Sequence, residues 1–298
     1  MLRWYRDGVR GFEGTPGTVI PRYIGNRKHE WRIGETTDDT ERTLAVARAI
    51  IADRSASHTS IGRELLACRK CIHPGIRSLW EFHQAGDPAR AATEHDGCGA
   101  AVRAAPIGIL HPPSAFDDLV DHAYEASIPT HGGSRAIAAA AATAAAVSAG
   151  IEGASQQDVF ALAERAAVEA ERRWPPSATP AFATALRTVR DSLASLSAIH
   201  AGDVAGRCFP STPLTIVPLA IALATTMDSA EAAILVAANV GGDSDSVASI
   251  AGGILGAMSP HSVNPEWCAI VAKVNGVDLP GVASRLTPMR ESNGQLDI

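Results

Sequence analysis

Residues 134–150 read SRAIAAAAATAAAVSAG. Alanine is the best helix former and a poor strand residue, so this stretch reads as a helix. Ile137 and Val147 give it two larger apolar side chains, and Gly150 stands where a helix C-terminal cap is expected. Its small side chains would let neighbouring elements approach closely, which suits a central helix. Working outward, the same bias holds along the chain. Aromatic residues make up only 5% of the 298 residues, whereas sheets favour aromatic and β-branched side chains. The expected fold class is all-α.

The flanking segments fit that class. Downstream, Ser155–Trp174 opens with Ser155-x-x-Asp158, a capping-box-like start, and stops at Pro175-Pro176. Further helices are expected at Ala181–Ile199, Val217–Thr226 and Ala230–Asn239, with the last strong one at Ser246–Met258. Upstream, a helix follows Thr37-Asp38-Asp39 with Leu44, Ala47 and Ile51 at helical spacing, and another covers Ile61–Cys71. Pro106 and Gly108 interrupt the segment Ala100–Leu110. Residues 1–36 carry glycine or proline too often for a long element and read as irregular. No fixed-period repeat and no long linker divides the chain, so a single domain spanning 1–298 is expected.

Composition narrows the functional classes. Hydrophobic residues make up 46% and charged residues 19%, which excludes a disordered chain. A net charge of -6 argues against general nucleic-acid binding. No apolar run of roughly 18 residues is expected to span a membrane. The start MLRWYRDGVRG has no apolar secretion stretch, and five cysteines fit no disulfide framework. A reduced, cytoplasmic setting is therefore expected. Cys68-x-x-Cys71 has zinc-like spacing but lacks a second pair of ligands.

Two acidic clusters carry the chemistry. One is GETTDDT at 34–40, and the other is NVGGDSDS at 239–246. Each places carboxylates and hydroxyls at the start of an expected helix, where free N–H groups and a partial positive charge hold anions. Clustered Asp, Thr and Ser oxygens suit hard divalent cations. Taken singly, each cluster also reads as an ordinary cap: Thr37 or Asp38 for one helix, with Asp38-x-x-Glu41 as capping box, and Ser244 or Ser246 for the other.

Taken together, TTDDT before an Ala/Leu helix and NVGGDSDSVASIAGGILGAM at 239–258 resemble the two signature motifs of the ADP-ribosylglycohydrolase family. Between them, GCGAAVRAAPIGIL at 97–110 resembles that family's central glycine-rich segment. Thr130-His131, before the alanine-rich helix, resembles its next helix start, and Pro265-Glu266-Trp267 a tripeptide after its last motif. The resemblance covers roughly residues 30 to 275.

The resemblance implies an all-α domain that binds two divalent cations, Mg²⁺ or Mn²⁺, and hydrolyses the bond joining ADP-ribose, or a related ribosyl group, to an acceptor. Thr37, Asp38, Asp39, Asp243, Asp245 and Ser246 would be the metal ligands. Gly97, Cys98, Gly99, His131, Gly241, Gly242 and Ser244 would line the substrate site, with Asp96 facing the ribose as a catalytic residue. The implied partner is an ADP-ribosylated protein or a small ADP-ribosyl compound, with no membrane. Two departures stand out. Ser244 and Ser246 replace threonines while keeping the hydroxyl. Residues 1–30 lack the family's apolar first helix and its following glutamate, for which Glu13 in VRGFEG is the matching candidate and Glu35 a second. Without that carboxylate, the alternative is a catalytically weak ADP-ribose binder; a separate alternative that the oxygen ligands also fit is a binuclear-metal phosphohydrolase.

Overall fold

The computed structural model describes residues 11, 14–24, 27–70, 95–176 and 180–294. The described residues form α-helices joined by short 3₁₀ turns, with one two-stranded antiparallel hairpin beside them. The helices are α1 Asp38–Asp53, α2 His58–Leu66, α3 Ala105–Leu110, α4 Phe116–Ser127 and α5 Ser134–Ile151. Then come α6 Gln156–Arg173, α7 Phe182–Ala194, α8 Ala201–Val204 and α9 Pro213–Ala224. The last are α10 Ala230–Ala238, α11 Ser244–Met258, α12 Pro265–Asn275 and α13 Leu279–Gly294. The all-α expectation holds.

The alanine-rich stretch is the hub. Every residue of α5 from Ala136 to Gly150 is buried. It packs against α3, α4, α6, α9, α11 and the 3₁₀ turn Cys98–Arg103. Close approach is literal at Gly108 of α3, where an added Cβ would stand 2.3 Å from the Ala144 carbonyl oxygen. Gly108 therefore marks close helix packing, and α3 continues through it. At 18 residues and mean hydropathy 1.3, α5 is long and apolar enough to cross a membrane, which corrects the expected absence of such a run. Its 83% burial among other helices gives it the place of a core helix instead.

Local signals explain several boundaries. Ser155 accepts from the Asp158 backbone N–H, which confirms the cap read before α6. Several elements were not anticipated. Strands β1 (Val19–Ile24) and β2 (Arg27–Arg32) pair in a region read as irregular. β1 itself contains Pro21, which an edge strand of a two-stranded sheet tolerates. Helix α4 was not anticipated either. Beyond α11, the helices α12 and α13 correct the expectation that Ser246–Met258 is the last strong one. Asn264 caps α12 by accepting from the N–H groups of Glu266 and Trp267, and Gly276 closes it in the left-handed region. Arg290 of α13, 8% exposed, donates to the carbonyls of Gly108 and His111, 2.8 Å each, and so ties α13 to the C-terminal end of α3.

Candidate functional site at two helix starts

The starts of α1 and α11 carry the two acidic motifs, and the cap explanation fails at both. Thr37 and Asp243 occupy the N-cap positions, yet neither side chain makes a cap hydrogen bond. Glu41 does not close a capping box either. Its two oxygens accept from the backbone N–H groups of Arg69 (2.8 Å) and Lys70 (2.7 Å). The motifs instead meet each other. Ser246 Oγ donates to Asp39 Oδ2 at 3.1 Å, across 207 positions of chain, and both residues are buried. Burial first, then the carboxylates of Asp245, Asp38 and Asp243, push the Asp39 carboxyl up to about 7 against the pull of Arg42. All four aspartates therefore lie within electrostatic reach of one point.

The 3₁₀ turn Cys98–Arg103 forms another wall. Cys98 Sγ donates to Asp243 Oδ2 at 3.2 Å. Burial and then the Asp243 carboxylate hold that thiol well above its ordinary range, so it is a protonated donor. Cys208 lies buried on the same side, its thiol pushed up to about 11 by burial and then by Asp243. Gly99 lets the turn pass between two side chains: a Cβ there would stand 2.8 Å from His131 Cε1 and 2.9 Å from Arg42 Nη1. Arg42, on α1, reaches back to Asp38 at 2.6 Å.

His131 is held from behind. Its Nδ1 lies 2.6 Å from Thr130 Oγ1, which accepts from Arg103 Nη2 at 2.7 Å. Arg103 is 1% exposed and also donates to the carbonyls of Ala126, Ser127 and Gly99. Buried guanidinium groups need such full pairing. The exposed His95 ring stands against His131, with centroids 4.6 Å apart.

The remaining expected residues fall as follows. Asp96 Oδ1 accepts from the Ala136 backbone N–H at 3.0 Å, so this carboxyl secures the first turn of α5. Gly97 lies against the imidazoles of His131 and His95. Gly241 and Gly242 both have positive φ, 81° and 64°, and turn the chain into α11. Ser244 is the first residue of that helix. Glu35 is held by its own turn. Burial works to raise its carboxyl, but the Arg32 backbone N–H and Lys70 prevail and keep it below the usual range. Glu13 and Cys71 lie outside the described residues. Among the described residues, no three His, Cys, Asp or Glu side chains converge as a ready metal cage.

Four features were not anticipated. Arg42 was readable as the partner one helical turn after Asp38. Cys208 and the Arg103–Thr130 pair depend on tertiary contacts that no local pattern encodes. Phe209 is 58% exposed, with its ring over Gly242, where a Cβ would meet it at 2.9 Å.

These features define a predominantly α-helical protein with a cluster of carboxylates where two helix starts and a glycine-rich turn meet. The chain belongs to the ADP-ribosylglycohydrolase family, whose model matches residues 3–295. It is similar to the uncharacterized protein YegU of Escherichia coli (strain K12), with 29% identity over 97% of this chain and 91% of that protein. An uncharacterized protein of Archaeoglobus fulgidus is 27% identical over 88% of this chain and 82% of its own length. A solved structure described as an ADP-ribosylglycohydrolase-related protein complex shares the fold, with TM-score 0.67 and 22% identity over 87% of this chain and 83% of that one.

Proposed function

We propose that this protein is a divalent-cation-dependent glycohydrolase that cleaves the bond between ADP-ribose, or a related ribosyl group, and an acceptor. The observation that carries the proposal is the Ser246–Asp39 hydrogen bond. It brings two distant oxygen-rich motifs to one place and leaves the side chains at both helix starts uninvolved in capping.

The residues present fit a hard cation. Thr37, Asp38, Asp39, Asp243, Asp245 and Ser246 offer oxygen donors only. The upward push on Asp39 shows anions crowded in a buried place, a strain that a bound cation relieves. Mg²⁺ or Mn²⁺ held there would supply Lewis acidity to the ribose hydroxyls and to a water molecule. The protein's own residues do the rest. The glycine turns at 97–99 and 241–242 admit the ligand close to the backbone, whose N–H groups would bind the diphosphate. His131, locked by Thr130 and Arg103, would fix the substrate from the opposite wall. Hydrolysis adds water across the glycosidic bond: the anomeric carbon gains hydroxyl and the acceptor leaves with a proton. The substrate class proposed is an ADP-ribosylated protein or a small ADP-ribosyl compound, handled in the cytoplasm.

Calorimetric titration of ADP-ribose with Mg²⁺, and again with EDTA, tests this reading. The expected result is binding that needs the cation and vanishes in Asp243→Asn, followed by release of free ADP-ribose from modified acceptors. No binding by folded, cation-loaded protein would overturn the ADP-ribose assignment.

A further inference from the structure

Helix α1 starts at Thr37 without a side-chain cap, although its first turn carries two carboxylates of the candidate site. The grip on that start comes from outside the helix. Thr36, the residue just before it, has each of its three polar groups bonded. Its backbone N–H donates to Asn275 Oδ1 at 3.0 Å, and its hydroxyl donates to the same oxygen at 3.2 Å. Its carbonyl oxygen accepts from Lys70 Nζ at 2.6 Å. Neither holder is a neighbour in sequence, since Lys70 stands 34 positions away and Asn275 239.

Asn275 is the last residue of α12, and its amide is fully engaged. Oδ1 takes both Thr36 bonds, while Nδ2 donates to the Gly34 carbonyl at 2.9 Å and to the Val271 carbonyl of its own helix at 2.8 Å. A planar amide with both its donors and its acceptor in use is held in one orientation. The loop also lies tight against α12. Gly34 has φ +85°, and a Cβ there would stand 2.7 Å from Ile270 Cγ2. Lys70 is fixed as well. Its backbone N–H donates to Glu41 Oε2 at 2.7 Å, and its ammonium lies 3.1 Å from Glu35 Oε1.

We propose that Asn275 is a positioning residue for the first acidic motif. With Lys70 it clamps Thr36, and so sets the direction in which Thr37, Asp38 and Asp39 present their oxygens. This rests on the metal-dependent reading above and adds to it a residue outside both motifs. An N-cap would hold the helix start by turning the Thr37 hydroxyl onto a backbone N–H. The clamp holds it one residue earlier and leaves that hydroxyl and the carboxylates to a ligand. Groups that orient ligating residues from behind change metal affinity without touching the ion.

The test compares Mn²⁺ binding in variants at opposite ends of α12. Metal-stripped protein is titrated with Mn²⁺ by calorimetry, the bound ion is followed by electron paramagnetic resonance, and circular dichroism confirms the fold. Asn275→Ala is expected to weaken Mn²⁺ binding about 10- to 100-fold and to change the spectrum of the bound ion. Asn264→Ala removes the N-terminal cap of the same helix. It is expected to lower the urea midpoint while leaving Mn²⁺ affinity and spectrum as in wild type. Thr36→Val keeps the side-chain shape and loses only the hydroxyl bond to Asn275, so it should weaken Mn²⁺ binding about threefold. It decides the matter if Asn275→Ala fails to fold. Wild-type affinity and spectrum in folded Asn275→Ala, or in Thr36→Val where it stands in, would overturn this assignment alone. So would an equal loss of affinity in Asn264→Ala, which would reduce the effect to a general loosening of α12. No Mn²⁺ binding by folded wild type would overturn the metal-dependent reading itself, and this assignment with it.

Discussion

Ser246 donates its hydroxyl to Asp39 at 3.1 Å, and this bond joins the start of α11 to the start of α1. A buried carboxylate that loses a donor keeps its desolvation cost without that compensation. Ser246→Ala is therefore expected to destabilise the metal-free protein by about 1–3 kcal/mol in urea unfolding. It should also weaken Mn²⁺ binding by roughly tenfold, a step worth about 1.4 kcal/mol. Ser246→Thr, which keeps the hydroxyl, should retain both properties. Unchanged Mn²⁺ affinity in Ser246→Ala would remove this residue from the cation site.

Phe209 exposes more than half of its surface while its ring rests on Gly242. Aromatic faces at a site rim commonly stack planar groups, at about 1–3 kcal/mol per base. Phe209→Ala should therefore weaken ADP-ribose binding about 5- to 100-fold. Binding of Mn²⁺ should not change, because the ring supplies no oxygen donor. Phe209→Tyr should restore the affinity for ADP-ribose. Equal binding of ADP-ribose and of ribose 5-phosphate by wild type and Phe209→Ala would show that the ring touches no base.

How far the sequence discloses this architecture follows from the range of each interaction. Helix α6 was legible to within a residue because Ser155, Asp158 and the Pro175-Pro176 stop act locally. The pairing of the two acidic motifs was legible as a family resemblance, although each alone resembled a cap. The hairpin Val19–Arg32 was hidden because its strand pairing is decided by the partner strand and not by the glycine count. Asp96 shows another limit. Its adjacency to Gly97 suggests a ribose contact, and the fold adds what no local pattern encodes, a hydrogen bond from the Ala136 N–H to Oδ1. Arg42 was legible in principle, since i,i+4 ion pairs are a local rule. Its burial against Gly99 was not.

A histidine pair away from the site sets an acid limit on stability. His111 Nε2 lies 2.6 Å from His122 Nδ1, where α3 ends and α4 passes. Burial, then His122 and Arg290, push His111 down to about 3. Burial also lowers His122, against the opposing pull of Asp118, Glu125 and Asp121. The folded pair thus binds fewer protons than the unfolded chain, whose histidines titrate near 6.5. Its stabilising contribution is complete above about pH 6.5 and is lost as pH falls toward about 3. His111→Phe should move the acid-unfolding midpoint down, on the order of one pH unit, when followed by circular dichroism. An unmoved midpoint would show that other groups govern acid unfolding.

Two N-cap residues separate folding from function. Ser155 accepts from the Asp158 N–H and caps α6, whereas Thr37 occupies the same position on α1 with no side-chain cap bond. Replacing a working cap by alanine costs about 0.5–2 kcal/mol. Ser155→Ala should show that loss in urea unfolding and leave Mn²⁺ binding intact. Thr37→Ala should do the reverse. Its hydroxyl stabilises no helix end, so the urea midpoint of metal-free protein should hold, while a lost oxygen donor should lower Mn²⁺ affinity. Stability lost without any change in Mn²⁺ binding would return Thr37 to the role of an ordinary cap. The opposite result would mean that the first motif gives up a helix cap to keep its oxygens for a ligand.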